Sequence, residues 1–254
     1  MELKPSKRHT EIIRIVRDQG TCTIRDLADR LNVSAESIRR DVRPLTESRT
    51  LVKVHGAVSL PHFFIEAPFD RRMRENAAEK AAIAKLAAEQ IENGDTLMFD
   101  TGTTTSLIAR ELLTHKNLTV VTNSSDIART LSTVNGNTVY MAGGKLRGDN
   151  GGAFGSMAIN LITSFRVRHS FISISAIDQA TGPMDMTLEE AELAAAVLRQ
   201  GETSTIVTDQ SKFNRSALVK VCDFDVVDRI ITDAPPTSDL ATYLKQENVE
   251  IQIA

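Results

Sequence analysis

The chain has 254 residues, of which 41% are hydrophobic and 25% charged, so it can build a sizeable core and is more typical of two domains than of one. No stretch reaches the roughly 18 uninterrupted apolar residues that a membrane span requires, and we therefore expect a cytoplasmic protein without a membrane partner. Cys22 and Cys222 are the only cysteines, and they lie far apart without metal-ligand neighbours. This favours two reduced thiols and predicts neither a metal site nor a cofactor.

The charge is divided unevenly along the chain. Residues 1–60 contain 12 Lys and Arg against 8 Asp and Glu, a net charge of +4, whereas the remaining residues contain 18 against 25, a net charge of −7. A basic first segment suits a polyanionic partner, because each phosphate that a cation neutralises releases counterions.

Two short helices joined by a tight turn are predicted in "TIRDLADRLNVSAESIRRDV", residues 23–42. Thr23 and Asp26 are spaced as a helix cap, and Asn32 suits the left-handed conformation of a turn. Ser34 then caps the second helix. The apolar residues expected to point inward are Ile12, Ile13, Ile15 and Val16 of an earlier helix, Ile24, Leu27, Ala28 and Leu31 of the first, and Ile38, Val42 and Leu45 of the second. The pattern predicts a helix-turn-helix that places its second helix in the major groove; a plain three-helix bundle with a solvated face is the alternative.

The residues after the second helix add two expectations. Pro44 lacks a backbone donor, so we expect a kink or an early end of the helix there. The run "LVKVHGAV", residues 51–58, alternates in polarity and predicts a two-stranded wing with its turn at Gly56.

The segment from Arg8 through Ser34 to "SIRRDV" resembles the winged N-terminal domain of the DeoR family of bacterial transcriptional regulators. Ser37 stands where that family usually has Thr, and Ala57 where it usually has Gly. The resemblance implies that residues 1–60 bind double-stranded operator DNA. We expect the residues near the bases to be Ser34, Glu36, Ser37, Arg39 and Arg40, and those on phosphates to be Thr23, Arg25, Lys53 and His55.

Residues 61–78 are predicted to form a linker that docks. The segment mixes prolines, phenylalanines and a dense run of charges, and Phe63, Phe64 and Phe69 are expected to pack on the larger domain or on a second subunit. The charged run from Asp70 to Arg74 is more typical of a solvated helix face than of a ligand site.

From residue 79 to residue 254, helical patterns alternate with short apolar runs. The predicted strands are "TLMFD", "LTVVT", "TVYMA", "FISIS", "TSTIVT", "RIIT" and "VEIQI". This alternation predicts an α/β domain, a Rossmann-like parallel sheet covered by helices on both faces. Ligands of such sheets bind beyond the carboxyl ends of the strands, so the loops that follow the strands are the candidate site.

Four of these loops carry residues suited to a small phosphorylated molecule. The first, "TGTTT", runs from a strand directly into a helix, whose first N–H groups and positive partial charge favour an anion, although an ordinary Thr-capped turn looks similar. The others are "VTNS", the glycine-rich "AGGKLRGDNGGAFG" and "TDQSKFNR". For Arg147 the alternative is a salt bridge to Asp149, and for Lys212 it is plain solvation.

These loops resemble the DeoR-type sensor domain, which is similar in fold to ribose-5-phosphate isomerase and glucosamine-6-phosphate deaminase. The combination with the tail "TDAPP" is most similar to the glycerol-3-phosphate repressor branch. Ala194 and Ala195 stand where relatives often have Lys-Arg, so no basic contact is carried over there. The resemblance and the loop positions together predict an effector site formed by Asp100, Gly102, Thr103, Thr104, Thr105, Thr122, Asn123, Gly143, Gly144, Arg147, Glu190 and Lys212.

The sequence therefore predicts a repressor of a sugar or polyol operon, a homodimer or homotetramer, that a phosphorylated sugar or polyol such as glycerol 3-phosphate releases from its operator. One alternative is a sugar-phosphate isomerase with Glu190, Asp209 and Lys212 as its catalytic groups. No Ser/His/Asp arrangement, Cys nucleophile or His in the predicted loops supports an enzyme, and no catalytic residue is predicted. The other alternative is a DNA-binding protein whose C-terminal domain only oligomerises.

Overall fold

The computed structural model describes residues 5–19, 21–48, 50–54, 57–59 and 67–254. The chain divides into two compact units, Met1–Pro68 and Phe69–Ala254. The second unit thus begins at Phe69, within the segment 61–78 expected to be the linker. The expectations for His55, Gly56, Phe63 and Phe64 lie outside the described residues.

The described residues of the first unit form three helices and three short strands. In chain order these are α1 (Pro5–Gln19), β1 (Thr21–Thr23), α2 (Ile24–Leu31), α3 (Ala35–Glu47), β2 (Val52–Val54) and β3 (Ala57–Ser59). The strands form one antiparallel sheet in the order β1-β3-β2, so the wing has a third strand that was not predicted. The strand β1 was missed because it has only three residues and ends at the cap of α2.

The predicted caps of the helix-turn-helix are confirmed. Thr23 accepts a hydrogen bond from the Asp26 N–H at 3.1 Å, and the Asp26 carboxylate accepts one from the Thr23 N–H at 3.2 Å, which is a complete capping box. Asn32 adopts the left-handed conformation with φ 51°. Ser34 accepts a hydrogen bond from the Ser37 N–H at 3.2 Å and thereby starts α3.

The expected early end of α3 at Pro44 is wrong. The helix contains Pro44 and continues to Glu47. The carbonyl that loses its donor to Pro44 is that of Arg40, four residues earlier, and both residues are exposed. Water can satisfy a carbonyl on the exposed face, which lowers the cost of the missing hydrogen bond.

The three helices enclose a small apolar core, as predicted. The side chains of Ile12, Val16, Leu27, Ile38 and Leu51 are completely buried. A buried ion pair joins α1 to α3, in which the Arg8 guanidinium donates to the Asp41 carboxylate. The apolar core and this ion pair together orient α3 against α1. Moving the helices apart would leave each charge buried without this partner, at a high cost in folding free energy.

The second unit alternates strands and helices. Its strands are β4 (Thr96–Phe99), β5 (Thr119–Thr122), β6 (Thr138–Met141), β7 (Val167–Ile172), β8 (Ala176–Asp178), β9 (Gly182–Asp185), β10 (Gly201–Val207), β11 (Val219–Lys220), β12 (Arg229–Thr232) and β13 (Glu250–Ile253). Its helices are α4 (Phe69–Arg72), α5 (Ala77–Ala88), α6 (Thr103–Glu111), α7 (Ser125–Leu131), α8 (Ser156–Thr163), α9 (Leu188–Leu198) and α10 (Ser238–Gln246), with 3-10 turns at Leu112–Thr114, Gln210–Lys212 and Phe224–Val226.

Seven strands form a parallel sheet in the order β13-β12-β10-β7-β4-β5-β6. Successive residues of β4 show how its two faces are covered: Leu97 and Phe99 pack in a cluster with α5, α6 and α7, whereas Met98 packs in a cluster with α8, α9 and α10. The predicted Rossmann-like layers are confirmed. No helix among the described residues is long and apolar enough to cross a bilayer.

Two local features of the second unit differ from the expectations. A small antiparallel sheet, β11-β9-β8, was not predicted, because its strands have two to four residues and β9 contains Gly182 and Pro183. The strand expected at "FISIS" lies earlier and ends at Ile172, where its pairing with β10 stops. Ser173 is therefore in a loop at the carboxyl end of the sheet.

Candidate functional site

The exposed face of α3 presents most of the residues expected near DNA bases. Glu36, Arg39 and Arg40 are exposed, and Arg39 donates to the Glu36 carboxylate at 3.2 Å. The side chain of Arg39 is 63% exposed, so this ion pair is weak and costs little to exchange for a phosphate or a base. Asp41, between these residues and the core, points inward to Arg8 and is unavailable to DNA.

Several hydroxyl groups expected to contact DNA also hold the local fold. The Ser34 and Ser37 hydroxyls lie 3.0 Å apart at the cap of α3. The Thr23 hydroxyl donates to the Asp26 carboxylate at 2.7 Å. Arg25 and Lys53 are exposed cations. These positions suit contacts that fix orientation on the sugar-phosphate backbone, since they belong to rigid helix starts and to a strand.

The second unit brings its polar residues together at the carboxyl ends of neighbouring strands. Asp100 follows β4 and is buried, with three hydrogen bonds at its carboxyl group. The Ser173 N–H and hydroxyl donate to Oδ2 at 3.0 and 3.3 Å, and the Thr105 hydroxyl donates to Oδ1 at 3.0 Å. Burial, with a smaller contribution from the nearby Glu190 charge, raises the pKa of Asp100 to about 7 despite these donors.

Gly102 allows this close packing. A Cβ atom at residue 102 would lie 1.8 Å from the Ser173 hydroxyl oxygen, a distance that no side chain can occupy. Gly102 is the residue before α6, and Thr103, Thr104 and Thr105, the first three residues of the helix, are all buried. The first N–H groups of a helix have no partner within it, so this turn has the donors that an anion needs.

The glycine-rich loop after β6 folds back onto the ends of β4 and β5. Asn123 donates from Nδ2 to the Ala153 carbonyl at 3.0 Å, and the Ala153 N–H donates to the Asn123 carbonyl at 2.9 Å. A Cβ atom at Gly152 would lie 2.7 Å from the Thr101 hydroxyl. The loop thus closes against "TGTTT" through Gly152.

Three other residues of the predicted effector site are Gly143, Gly144 and Thr122. Gly143 faces open space, and a Cβ atom at Gly144 would reach only the Phe154 carbonyl, at 3.6 Å. Thr122 is fully buried, and its hydroxyl accepts a hydrogen bond at 3.0 Å from the N–H of Ser124, the residue that caps α7.

Arg147 is held by two carboxylates. Its Nε and Nη2 donate to Asp149 at 3.2 and 2.8 Å, and its Nη1 donates to Glu190 at 3.0 Å. Glu190 also accepts the Thr187 hydroxyl at 2.8 Å as part of the cap of α9. The salt bridge considered as the alternative for Arg147 is therefore present. A phosphate that binds Arg147 would have to displace a carboxylate.

A second polar cluster lies at the end of β10 and includes Lys212. Asp209 is buried and begins the 3-10 turn Gln210–Lys212, with its Oδ1 accepting the Ser211 N–H at 3.0 Å. The same Oδ1 accepts Asn76 Nδ2 at 3.0 Å. Lys80 is buried nearby and donates to the Arg72 carbonyl at 2.5 Å. Burial lowers the pKa of Lys80, and the Asp209 charge partly opposes this shift.

The described residues contain seven buried side-chain polar atoms without a hydrogen-bond partner, and three of them belong to this end of the sheet. They are Thr101 Oγ1, Ser106 Oγ and Asn123 Oδ1. A buried polar group without a partner costs about 1 to 3 kcal/mol, so these atoms favour a ligand with hydroxyl groups. Thr101, Ser106 and Ser173 were not predicted as site residues, although Thr101 and Ser106 flank "GTTT" and could have been included.

Among the described residues, no three His, Cys, Asp or Glu side chains come together in a group that could hold a metal ion.

Two family models match the chain. The DeoR-like helix-turn-helix domain matches residues 8–63, and the DeoR C terminal sensor domain matches residues 75–234.

Curated relatives match over nearly their whole length. The glycerol-3-phosphate regulon repressor of Escherichia coli is 34% identical, over 99% of this chain and 100% of the relative. The transcriptional repressor CsqR of the same organism is 30% identical, over 98% of this chain and 96% of the relative.

Among solved structures, the probable sor operon regulator of Shigella flexneri is 12% identical with a TM-score of 0.46, covering 80% of this chain and 97% of that one. Ribose 5-phosphate isomerase A of Methanocaldococcus jannaschii is 14% identical with a TM-score of 0.40, covering 55% of each chain.

Proposed function

Because the chain belongs to the DeoR family of transcriptional regulators, we propose that it represses a sugar or polyol catabolic operon and leaves its operator when a phosphorylated sugar or polyol binds the second unit. The proposal assigns DNA reading to α3 and the wing. It assigns effector binding to the carboxyl ends of β4, β5, β7 and β10. Glycerol 3-phosphate is the first compound to test, because relatives that match the whole chain carry its name.

The observation that carries the effector proposal is the group of unpartnered polar atoms beside the start of α6. The N–H groups of residues 103–105, after β4, suit a phosphate, and Lys212 adds a cation after β10, which β7 separates from β4 in the sheet. Asn123 Oδ1 is an acceptor without a donor, and the Thr101 and Ser106 hydroxyls are likewise unpartnered. A small molecule with a phosphate at one end and hydroxyl groups along its length matches both sets of groups.

Self-association through the second unit is part of the proposal. The edge strand β6 leaves Tyr140 and Met141 partly exposed, and Leu146 and Met157 lie exposed in the segments that follow it. An exposed edge strand with apolar side chains favours pairing with another chain. A dimer or tetramer would present two α3 helices to two operator half-sites.

The isomerase alternative has less support from the geometry. Glu190 accepts the hydroxyl of Thr187, the cap of α9, and pairs with Arg147, whereas Asp209 caps a 3-10 turn and holds Asn76. Both carboxylates considered as catalytic bases are therefore engaged in holding the fold. Incubation with ribose 5-phosphate separates the alternatives, since an isomerase converts it and a sensor only binds it.

Two substitutions test the assignment of functions to the two units. We expect Arg39→Ala to abolish the gel shift of an operator fragment without weakening ligand binding. Arg129→Ala, in the second unit, is the matched control, because Arg129 is also exposed and also paired only weakly, with Asp126 at 3.9 Å. Loss of ligand binding together with DNA binding in Arg39→Ala would contradict the assignment.

We expect Lys212→Ala to keep operator binding and to lose sensitivity to the effector. Lys116→Ala is its control, because Lys116 is an exposed lysine just before β5, at the amino ends of the strands and away from the candidate site. Ligand binding is measured as a rise in stability, which reaches about 2.7 kcal/mol at a hundredfold excess over Kd. Unchanged sensitivity in Lys212→Ala would remove this residue from the site.

A further inference from the structure

The segment Phe69–Asn76, here called the entry segment, begins the second unit and directly follows Pro68, the last residue of the first unit. It contains α4 and a turn, in which the Met73 N–H donates to the Phe69 carbonyl at 2.8 Å and Arg71 pairs with Glu75 at 2.6 Å. The sequence analysis assigned this segment to a linker. Its hydrogen bonds instead join it to the loop that carries Lys212.

The first connection is made by Asn76. Its side chain donates to Asp209 Oδ1 at 3.0 Å, with Ser211 Oγ at 3.4 Å from the same nitrogen. Asp209 Oδ1 also accepts the Ser211 N–H that starts the turn Gln210–Lys212. One carboxylate oxygen thus holds both the effector loop and the end of the entry segment, so a shift of the loop changes the bond to Asn76.

The second connection is made by Lys80, in the first turn of α5. Lys80 is only 5% exposed, and its ammonium group donates to the Arg72 carbonyl inside the entry segment. Asp209 and Lys212 lie close enough to act on this ammonium by their charges. A buried ammonium with few partners is sensitive to its electrostatic surroundings, because little water screens it.

We propose that Asn76 and Lys80 are positioning residues that transmit occupancy of the effector site to the entry segment, and through the chain to the DNA-binding unit. An anion at Lys212 draws the turn Gln210–Lys212 toward itself, changes the acceptor geometry at Asp209 and alters the field at Lys80. The bonds to Asn76 and to the Arg72 carbonyl then change together. This inference rests on the proposed function, because it names the route by which the same site acts.

The test uses the full chain with Asn76→Gly as the first variant. Asn76 has φ 51°, a conformation that glycine adopts without strain, so this substitution removes the side chain and keeps the backbone. Asn135→Gly is the matched control, since Asn135 has φ 53° and donates from Nδ2 to the Leu113 and His115 carbonyls at the other edge of the sheet. Lys80→Met is the second variant, because methionine retains the buried apolar stem without the charge.

Two quantities are measured for each protein: binding of glycerol 3-phosphate and related polyol and sugar phosphates, and affinity for an operator fragment with and without the compound that releases the wild type. We expect Asn76→Gly and Lys80→Met to bind the compound and the free operator within about threefold of the wild type, but to lose most of the roughly tenfold or larger release. Asn135→Gly is expected to keep full release.

Release of DNA from both variants as from the wild type would overturn the inference and leave the proposed function intact. Loss of compound binding in Asn76→Gly and Lys80→Met would also overturn it, because the residues would then belong to the binding site rather than to the route from it. If no compound of the panel binds or releases the wild type, the proposed function fails first and the inference fails with it.

Discussion

Burial changes the pKa of Asp100, a residue of the candidate effector site. Its pKa is raised from 3.8 to about 7, so the folded chain keeps a proton that the unfolded chain releases above about pH 4. Protonated, the carboxyl group can donate to the Thr105 hydroxyl, which in turn lies 3.1 Å from the Gly102 carbonyl. The ionised carboxylate instead accepts all three hydrogen bonds, from the Ser173 N–H, the Ser173 hydroxyl and the Thr105 hydroxyl, but it is buried at a high cost.

The first prediction follows from the sign of this shift. The stabilising contribution of Asp100 is complete below its unfolded pKa of 3.8 and is lost as the pH rises to about 7. Asp100→Asn keeps the shape and cannot ionise. We expect the wild type to lose roughly 2 kcal/mol of unfolding free energy relative to Asp100→Asn between about pH 5 and about pH 8, measured by urea denaturation. A constant difference between the two proteins would contradict the assignment.

The second prediction concerns Gly102. A methyl group at this position would overlap the Ser173 hydroxyl, so Gly102→Ala must push the start of α6 away from Asp100. We expect a loss of about 1 to 3 kcal/mol in unfolding free energy, together with loss of effector binding. Gly143→Ala is the control, because a Cβ atom there meets nothing within 4 Å. Equal unfolding free energy and equal effector binding in the two variants would mean that the start of α6 is not closely packed.

At the residue scale, the sequence predicts residue types at strand ends but not their partners. Thr103, Thr104 and Thr105 were expected beside an anion, and the structure buries all three. Ser173 could not be recognised as a partner of Asp100 from the sequence. Its position depends on where β7 ends and on Gly102, 71 residues earlier, which leaves room for the Ser173 hydroxyl. Arg147 has two carboxylate partners, and Glu190 is one that no local spacing indicates.

At the scale of secondary-structure elements, helix caps and apolar periodicity determine most of the fold. Thr23 with Asp26 starts α2 and Ser34 starts α3, both as expected from local spacing. The third strand of the wing and the sheet β11-β9-β8 were missed, because strands of two to four residues depend on pairing with distant segments. Pro44 was misjudged since its cost depends on whether the Arg40 carbonyl reaches water.

The third prediction belongs to the junction of α1 and α3. Asp41→Ala leaves the buried Arg8 guanidinium without its carboxylate, and we expect a loss of about 3 to 5 kcal/mol in the stability of the DNA-binding unit. Glu47→Ala removes an exposed partner of Arg43 in the same helix and should cost less than about 1 kcal/mol.

Hydrogen exchange of the α1 and α3 amides in the full chain measures both effects. Faster exchange in Asp41→Ala alone supports the structural role of the pair. Equal exchange in the two variants would show that α3 is oriented by its apolar contacts without help from the ion pair.

At the scale of the whole molecule, the chain combines a basic unit that resembles known DNA-reading domains with an acidic unit, in which we propose an anion site at one end of the sheet. The uneven charge was visible in the sequence, and the family models show a DeoR-like helix-turn-helix domain followed by a DeoR C terminal sensor domain. The hydrogen bonds of Asn76 and Lys80 were not visible, because they join residues more than 130 positions apart or depend on burial.

We propose above all that a small phosphorylated molecule bound by the second unit controls DNA binding by the first. The most direct test of this claim is fluorescence anisotropy of a labelled duplex from the promoter region of the chain's own gene, titrated with protein at low ionic strength and then with glycerol 3-phosphate and related polyol and sugar phosphates. We predict tight binding that one of these compounds weakens about tenfold or more, while inorganic sulfate at the same ionic strength does not. Absence of duplex binding, or binding that none of the compounds changes, would contradict the claim.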